Sequence, residues 1–339
     1  MNRMKFFKIG VFNVILSMNL VGQDIHFSQY LQAPLLVNPA LTGMFEGKHR
    51  LIMNYKSQWS AMSSPFKTMA FSYDTHLMKS KRMKSKGNYL GIGLFAFQDV
   101  AGDSKLGQTQ INGSMSGIIQ LDNSNSISVG LQGGYSKKSI STDNLRWGNQ
   151  YDGVGYNTNY NSNESFSSSS FGYFDMSTGI VWQYRNDKTT FTNGNEFSKF
   201  DIGISYNHVN HPNQKFIGLQ EKLNSKIVMH ASTEYDIKDT KYAIVGSCFY
   251  IRQGKLHEFV FGGSVKYFIH KNVSKYTGFG KQMSVTFGAQ IRSKDALIPT
   301  MMFEKEDFSV GLSYDFNISS LNQVSRNGGY EIVLRYVIQ

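Results

Sequence analysis

The residues best suited to chemistry are few and badly spaced for it. "HVNH" sets His208 and His211 three positions apart. A zinc-protease helix needs its second histidine four residues on and a glutamate beside the first, to act as base. Neither is present, and His208 falls at the end of a strand pattern, so the pair reads as turn and interface residues. "QDVAGD" brings Asp99 and Asp103 near one another, hard oxygen donors of the kind calcium takes, but in a glycine-bearing turn. No G-x-S-x-G nucleophile elbow, phosphate-cradling loop or cysteine–histidine cluster occurs. The single cysteine, Cys248, excludes an internal disulfide, and in "YAIVGSCFYI" it reads as a small packed apolar group. The expectation is therefore a protein that is not an enzyme, with no cofactor and no metal.

What remains to be explained is the scaffold. Apolar and polar residues alternate along segment after segment, the mark of strands with two different faces. Met69, Phe71 and Tyr73 oppose Thr68, Ala70, Ser72 and Asp74; Ile127, Val129 and Leu131 oppose Ser126, Ser128 and Gln132; Phe308, Val310, Leu312 and Tyr314 oppose Ser309, Ser313 and Asp315. The last such segment carries Tyr330, Ile332, Leu334 and Tyr336 on one face and Glu331 and Arg335 on the other. About fourteen strands result, at 49–58, 66–77, 88–98, 107–121, 126–138, 172–185, 199–209, 222–236, 240–252, 255–269, 280–292, 295–304, 307–317 and 329–338. A soluble sandwich would turn the apolar face inward; a membrane barrel turns it to lipid and keeps the interior polar. Ten-residue strands, aromatics at strand ends (Tyr55, Trp59, Trp182, Tyr184, Tyr330, Tyr336) and small inward residues such as Gly130 and Gly134 favour the barrel. The expected fold is all-β: a transmembrane antiparallel β-barrel with an irregular N-terminal segment.

The start of the chain sets the compartment. "MNRMKFFKIG" carries Arg3, Lys5 and Lys8 and no acid, and a short apolar stretch interrupted by Asn13 and Asn19 follows. That is the layout of a signal peptide over 1–22. It leads to a segment at 23–47, periplasmic or plugging the barrel mouth, and a barrel over 48–339. The formal charge of +11 points, in an exported chain, to anionic lipid of the outer membrane or to an acidic partner, not to nucleic acid. The lysine cluster at 79–87 reads as a solvated turn. The long connection at 141–170, rich in Asn, Ser and Gly but holding Trp147, Tyr151, Tyr156, Tyr160 and Phe166, reads either as an exposed binding loop or as an inward fold.

One stretch fits no strand. "HFSQYLQAPLLVNPALTG", residues 26–43, contains Pro34 and Pro39, which prevent a single helix. "DIHFSQYLQAPLLVNPALTG" followed by "RLIMNYKSQWS" resembles the start of the PorP/SprF family, outer-membrane proteins of the type IX secretion system and gliding motility in Bacteroidetes. The matching residues are Phe27, Ser28, Gln29, Tyr30, Pro34, Asn38, Pro39, Ala40 and Gly43, then Gln58 and Trp59. "FSVGLSYDFNISSLNQVSRNGGYEIVLRYVI" is similar to that family's closing hairpin, through Gly311, Ser313, Tyr314, Asp315, Asn317, Ser319, Leu321, Gly328, Gly329 and Glu331. The chain departs in ending at Gln339, not at an aromatic residue. The resemblance implies a non-enzymatic barrel that helps export, or anchor at the surface, a large adhesin received through its C-terminal domain. Its partners would be other periplasmic and outer-membrane components of the system. Phe27, Ser28, Gln29, Tyr30, Pro34, Asn38 and Pro39 would contact a partner or close the barrel. Gly311, Ser313, Tyr314, Asp315 and Glu331 would serve structure. A porin-like or hydrophobic-solute transporter is the alternative, and an outer-membrane hydrolase a more distant one.

Overall fold

The computed structural model describes residues 24–58, 65–78, 87–102, 104–141, 145–157, 159–163, 169–189, 195–216, 219–270, 282–318 and 328–338. The expected signal peptide, the lysine cluster through residue 86, Trp59, Asp103 and Phe166 lie outside the described residues. Fourteen antiparallel strands close into a barrel. In chain order they are β1 (His49–Gln58), β2 (Phe66–Leu77), β3 (Tyr89–Ala101), β4 (Leu106–Gln120), β5 (Asn125–Ser139), β6 (Ser170–Thr189) and β7 (Asn195–Asn207). A small hairpin of β8 (Asn213–Phe216) and β9 (Leu219–Lys222) stands outside the wall. The wall resumes with β10 (Lys226–Asp236), β11 (Tyr242–Gln253), β12 (Leu256–His270), β13 (Met283–Arg292) and β14 (Ala296–Lys305). β15 (Phe308–Tyr314) breaks at Asp315 and continues as β16 (Phe316–Asn317), and β17 (Gly329–Ile338) pairs with β1 to close the ring.

Burial decides between sandwich and barrel. The apolar face is the exposed one: Met53 is 55% exposed, Leu131 60% and Phe174 71%, and their counterparts cover the outside of every wall strand. The polar face is buried, with Ser72, Asp74, Ser128 and Asp201 inside. Leaving one large aliphatic side chain in water forgoes roughly 1.5–3 kcal/mol. A belt of dozens is tolerable only against lipid. Aromatic pairs ring both edges of the belt, Tyr55–Tyr330 and Tyr135–Phe174 at one and Trp182–Phe200 and Tyr242–Tyr267 at the other.

All fourteen expected strands are present, with two differences. β6 and β7 pair beyond the belt, to Thr189↔Asn195, in a stretch whose residues no longer alternate. Past the membrane neither face needs an apolar side chain, so periodicity gives no signal there. The β8–β9 hairpin was missed for the same reason. In the 141–170 connection Tyr151, Tyr156 and Tyr160 are each about half exposed, while Trp147 is partly buried.

Candidate functional site: the plugged lumen

The segment before β1 does not sit beneath the barrel mouth. It runs the length of the lumen. One rim, where β1 begins, carries the turn at 121–124 and the chain reversals after β10 and β14; we call it the start rim. The other, the loop rim, carries the 140–169 connection and the β8–β9 hairpin. Asp24 lies at the loop rim. Its N–H donates to Gln253 Oε1 (3.1 Å), and its carboxylate meets His208 Nε2 (2.6 Å) and Lys226 Nζ (3.0 Å). His208 Nδ1 in turn meets Asp175 (2.8 Å). Burial alone would raise the pKa of Asp24, but Lys226 and His208 outweigh it and hold the acid well below its usual range. Burial would lower His208, yet Asp24 and Asp175 outweigh it and raise it. The "HVNH" histidine is thus a clamp on the plug.

From Asp24 the segment descends through three short helices, Tyr30–Gln32, Pro34–Val37 and Pro39–Leu41. Pro34 and Pro39 each open a helix, where the missing N–H is not needed. Phe27 and Leu35 pack with Ala70, Phe95 and Phe97. Tyr30 stacks on Phe249 at 4.4 Å. Asn38, fully buried, accepts from Ala40 N–H (2.9 Å) and donates to the carbonyls of Ile180 and Ile204 (both 3.2 Å). The wall makes room with glycine: a Cβ on Gly130 would stand 2.3 Å from Ala40 N and Pro39 C. Gly43 turns the chain toward β1 at φ +68, its N–H donating to Asp74 (2.8 Å), whose other partner is Arg50 (2.7 Å).

Between these anchors the wall reads the plug's main chain. Ser116 and Ser128 donate to the carbonyls of Thr42 and Ala40 (both 2.6 Å), Ser205 to Val37 (2.7 Å), Gln132 to Leu35 (3.1 Å) and Asn54 to Gln32 (3.2 Å). These donors answer carbonyls that an irregular buried segment would otherwise leave unpaired.

The two terminal stretches meet here. Glu331, 1% exposed, accepts the N–H groups of Ser28 (2.7 Å) and Gln29 (3.0 Å) and pairs with Lys56 (3.2 Å), which also donates to the His26 carbonyl (3.1 Å). Asp315, at the break between β15 and β16, continues the inward face of Ser309, Gly311 and Ser313. There Ser28 Oγ donates to Asp315 (2.8 Å), and Arg292 binds both, at 2.6 Å to the hydroxyl and 3.0 Å to the acid. Gln29 donates to Ser313 Oγ (3.2 Å), and a Cβ on Gly311 would approach Gln29 Oε1 to 2.6 Å. The His26 ring faces Glu258 (3.4 Å); burial, with Lys56, Arg292 and Lys226 nearby, pushes its pKa well down, so the ring is neutral.

Toward the start rim a cavity of about 650 Å³ remains. Plug residues Leu31, Gln32 and Leu41 line part of it, and wall residues line the rest, on β10 and β12–β15 and also at Ser126 on β5, Gln183 on β6 and Asp201 on β7. Its fringe holds Lys266 paired with Glu234 (3.0 Å) and Glu304 (2.8 Å), Arg335 paired with Glu304, and Lys199 paired with Asp201 (2.8 Å). Among the described residues no group of three or more His, Cys, Asp or Glu side chains could hold a metal ion.

The family model for the type IX secretion system membrane protein PorP/SprF matches residues 19–336. The chain belongs to the PorP/SprF family. With its closed barrel, this PorP/SprF member is an integral protein of the outer membrane. No curated protein matches it significantly. Among solved structures it is similar to the toluene transporter TbuX of Ralstonia pickettii (8% identity, 90% of this chain and 92% of that one, TM-score 0.47). It is similar also to BamA from Haemophilus ducreyi (10%, 86% and 70%, 0.42) and to the translocator domain of the autotransporter NalP from Neisseria meningitidis (10%, 86% and 89%, 0.36). At such identities and scores these likenesses carry nothing about cargo.

Of the PorP/SprF residues singled out in the sequence, Phe27, Ser28, Gln29, Tyr30, Pro34, Asn38 and Pro39 are all buried in the lumen. Ser313, Asp315, Glu331 and Gly311 face two of them, Ser28 and Gln29. Tyr314 does not join them: it lies on the outward face, 4.7 Å from Phe316 and opposite Tyr330. Asp99 accepts from Thr68 Oγ1 on the wall (2.5 Å). Sequence reasoning missed Lys56, Arg292 and Glu258. The available signal was their place on the polar face of strands read as spanning a membrane, where an ionisable residue is costly without a partner.

Proposed function

We propose that this PorP/SprF barrel is a non-enzymatic partner in type IX secretion that receives a specific large secreted protein or adhesin through its C-terminal domain and assists its export and surface anchoring. The observation that carries the reading is the plug. Its own N-terminal segment fills the lumen at the loop rim and leaves the cavity opening at the start rim, the form of a receiving cup and not of a through-channel. The longest connection, 140–169, stands at the loop rim, and bacterial barrels usually carry their longest loops outside; the cup then opens to the periplasm, where an exported client arrives. The seven plug residues act as closure, buried where a partner does not touch them. The signal peptide would be removed before assembly.

The test is co-purification of the native protein, tagged in the 141–170 connection and extracted in mild detergent. A secreted protein retained through its C-terminal domain is the expected result. A lone barrel that conducts ions in a planar bilayer would instead mark a transporter.

A further inference from the structure

The filled side of the lumen shows what its open side is built to hold. Along β1, β4, β5 and β7 the wall grips an irregular polypeptide by its carbonyls, using Ser, Gln and Asn side chains. Opposite them the same types of residue recur at the cavity: Ser232 on β10, Ser264 on β12, Thr286 and Gln290 on β13, and Thr300 on β14. Gln290 is 7% exposed, and its Oε1 has no hydrogen-bond partner among the described residues. A buried amide oxygen without a donor costs about 1–3 kcal/mol and suits a site that a ligand N–H completes. The cavity lies within the range of about 300–1,000 Å³ found for ligand sites. Its fringe cations and acids are already paired with one another, so no single-sign field selects a charged ligand.

We propose that this vestibule binds a second polypeptide segment, short, extended and uncharged, held mainly by its main chain and lying against Leu31 and Leu41 of the plug. Resting on the secretion-partner reading, the occupant is a segment of the secreted client. Main-chain recognition tolerates sequence variation in the client, while the plug's apolar side chains select against bulk and charge.

A photo-crosslinking amino acid at Thr286 in the full-length barrel, activated in living cells, tests this. The expected adduct is a peptide from the C-terminal domain of the client that co-purifies with the barrel. The same group at Phe287, on the lipid face, should give no such adduct. Changing Ser264, Thr286 and Gln290 together to Leu should lower client recovery about tenfold or more, with heat-modifiable migration of the barrel intact. Should the triple variant fail to fold, Gln290→Leu alone is read the same way, with a smaller loss. A client that co-purifies at full yield with the variants and crosslinks only at the loop rim, for example at Tyr151, would overturn the vestibule while sparing the secretion reading. Failure of any secreted protein to co-purify would overturn both. An adduct with a glycan or a lipid at Thr286 would overturn the polypeptide assignment.

Discussion

The two sides of the lumen are made of the same residue types and differ in what completes them. On the side of β1–β7 the wall's hydroxyls and amides are answered by the plug, and its charges by one another and by plug N–H groups. On the side of β10 and β12–β14, Ser264, Thr286 and Thr300 line the cavity and the Gln290 amide oxygen has no partner among the described residues, while Lys266 pairs with Glu304 within the wall and Arg292 reaches plug Ser28. A polar inner face is therefore not a statement about water. Where a segment of the same chain lies against it, it is a binding surface, and chemistry alone does not distinguish that side from the one still open.

The comparison can be broken most forcefully at Glu331. Glu331→Ala leaves Lys56 buried without its partner and two plug N–H groups without an acceptor, a loss of about 3–5 kcal/mol. We expect the heat-modifiable form to disappear or melt well below wild type; an unchanged melting temperature would mean that the network does not secure the plug. Next is Gly130→Val, which sets a side chain against Ala40 and Pro39. Overpacking of this kind costs about 1–3 kcal/mol, and displacement of the plug should appear as single-channel conductance above that of wild type.

A smaller effect, near 1 kcal/mol, is expected from pH. The pKa of His26 is depressed in the fold, so the unfolded chain binds the extra proton first and stability falls as pH drops below about 6.5. His208 works in the opposite sense. Its raised pKa gives stability that is complete below about 6.5 and is lost as pH rises through the folded value. Melting curves of His26→Gln should therefore lose the acid slope and keep the alkaline one, and those of His208→Gln the reverse; parallel curves for both variants would sink the assignment. The smallest effect belongs to the open side, where Thr286→Val should change stability by no more than about 0.5 kcal/mol. A large loss there would mean the open side is also tied into the barrel's own folding.

The barrel was legible in the sequence because lipid enforces a period of two on every spanning strand. Leu131 and Gln132, or Tyr330 and Glu331, declare their faces without help. The plug was legible as an anomaly: two prolines and a leucine cluster that no strand accommodates. Its position within the lumen was not, and neither was the meeting of Ser28 with Asp315 and Glu331. Residues 287 and 303 positions apart leave no periodicity between them. What the alternation did supply was half of the answer, an acid at 331 on the inner face; its partners required three dimensions. His208 was read as a turn residue, and a turn it is, at φ +59. The carboxylate that gives it a task comes from Asp24, 184 positions earlier.

The placement of Asp24 at the rim opposite the start of β1 constrains the order of assembly. The chain must thread its own cylinder, and β1 and β17, the strands that finish the cylinder, bring Lys56 and Glu331 together across the last seam. A ring zipped shut first would have to be entered lengthwise by a folded, proline-kinked segment. A ring zipped around that segment needs only the final pairing. The seam that completes the wall thus also fastens what lies within it, and a nascent chain lacking its last strand would have no enclosure and would lose the Glu331 tether of its plug.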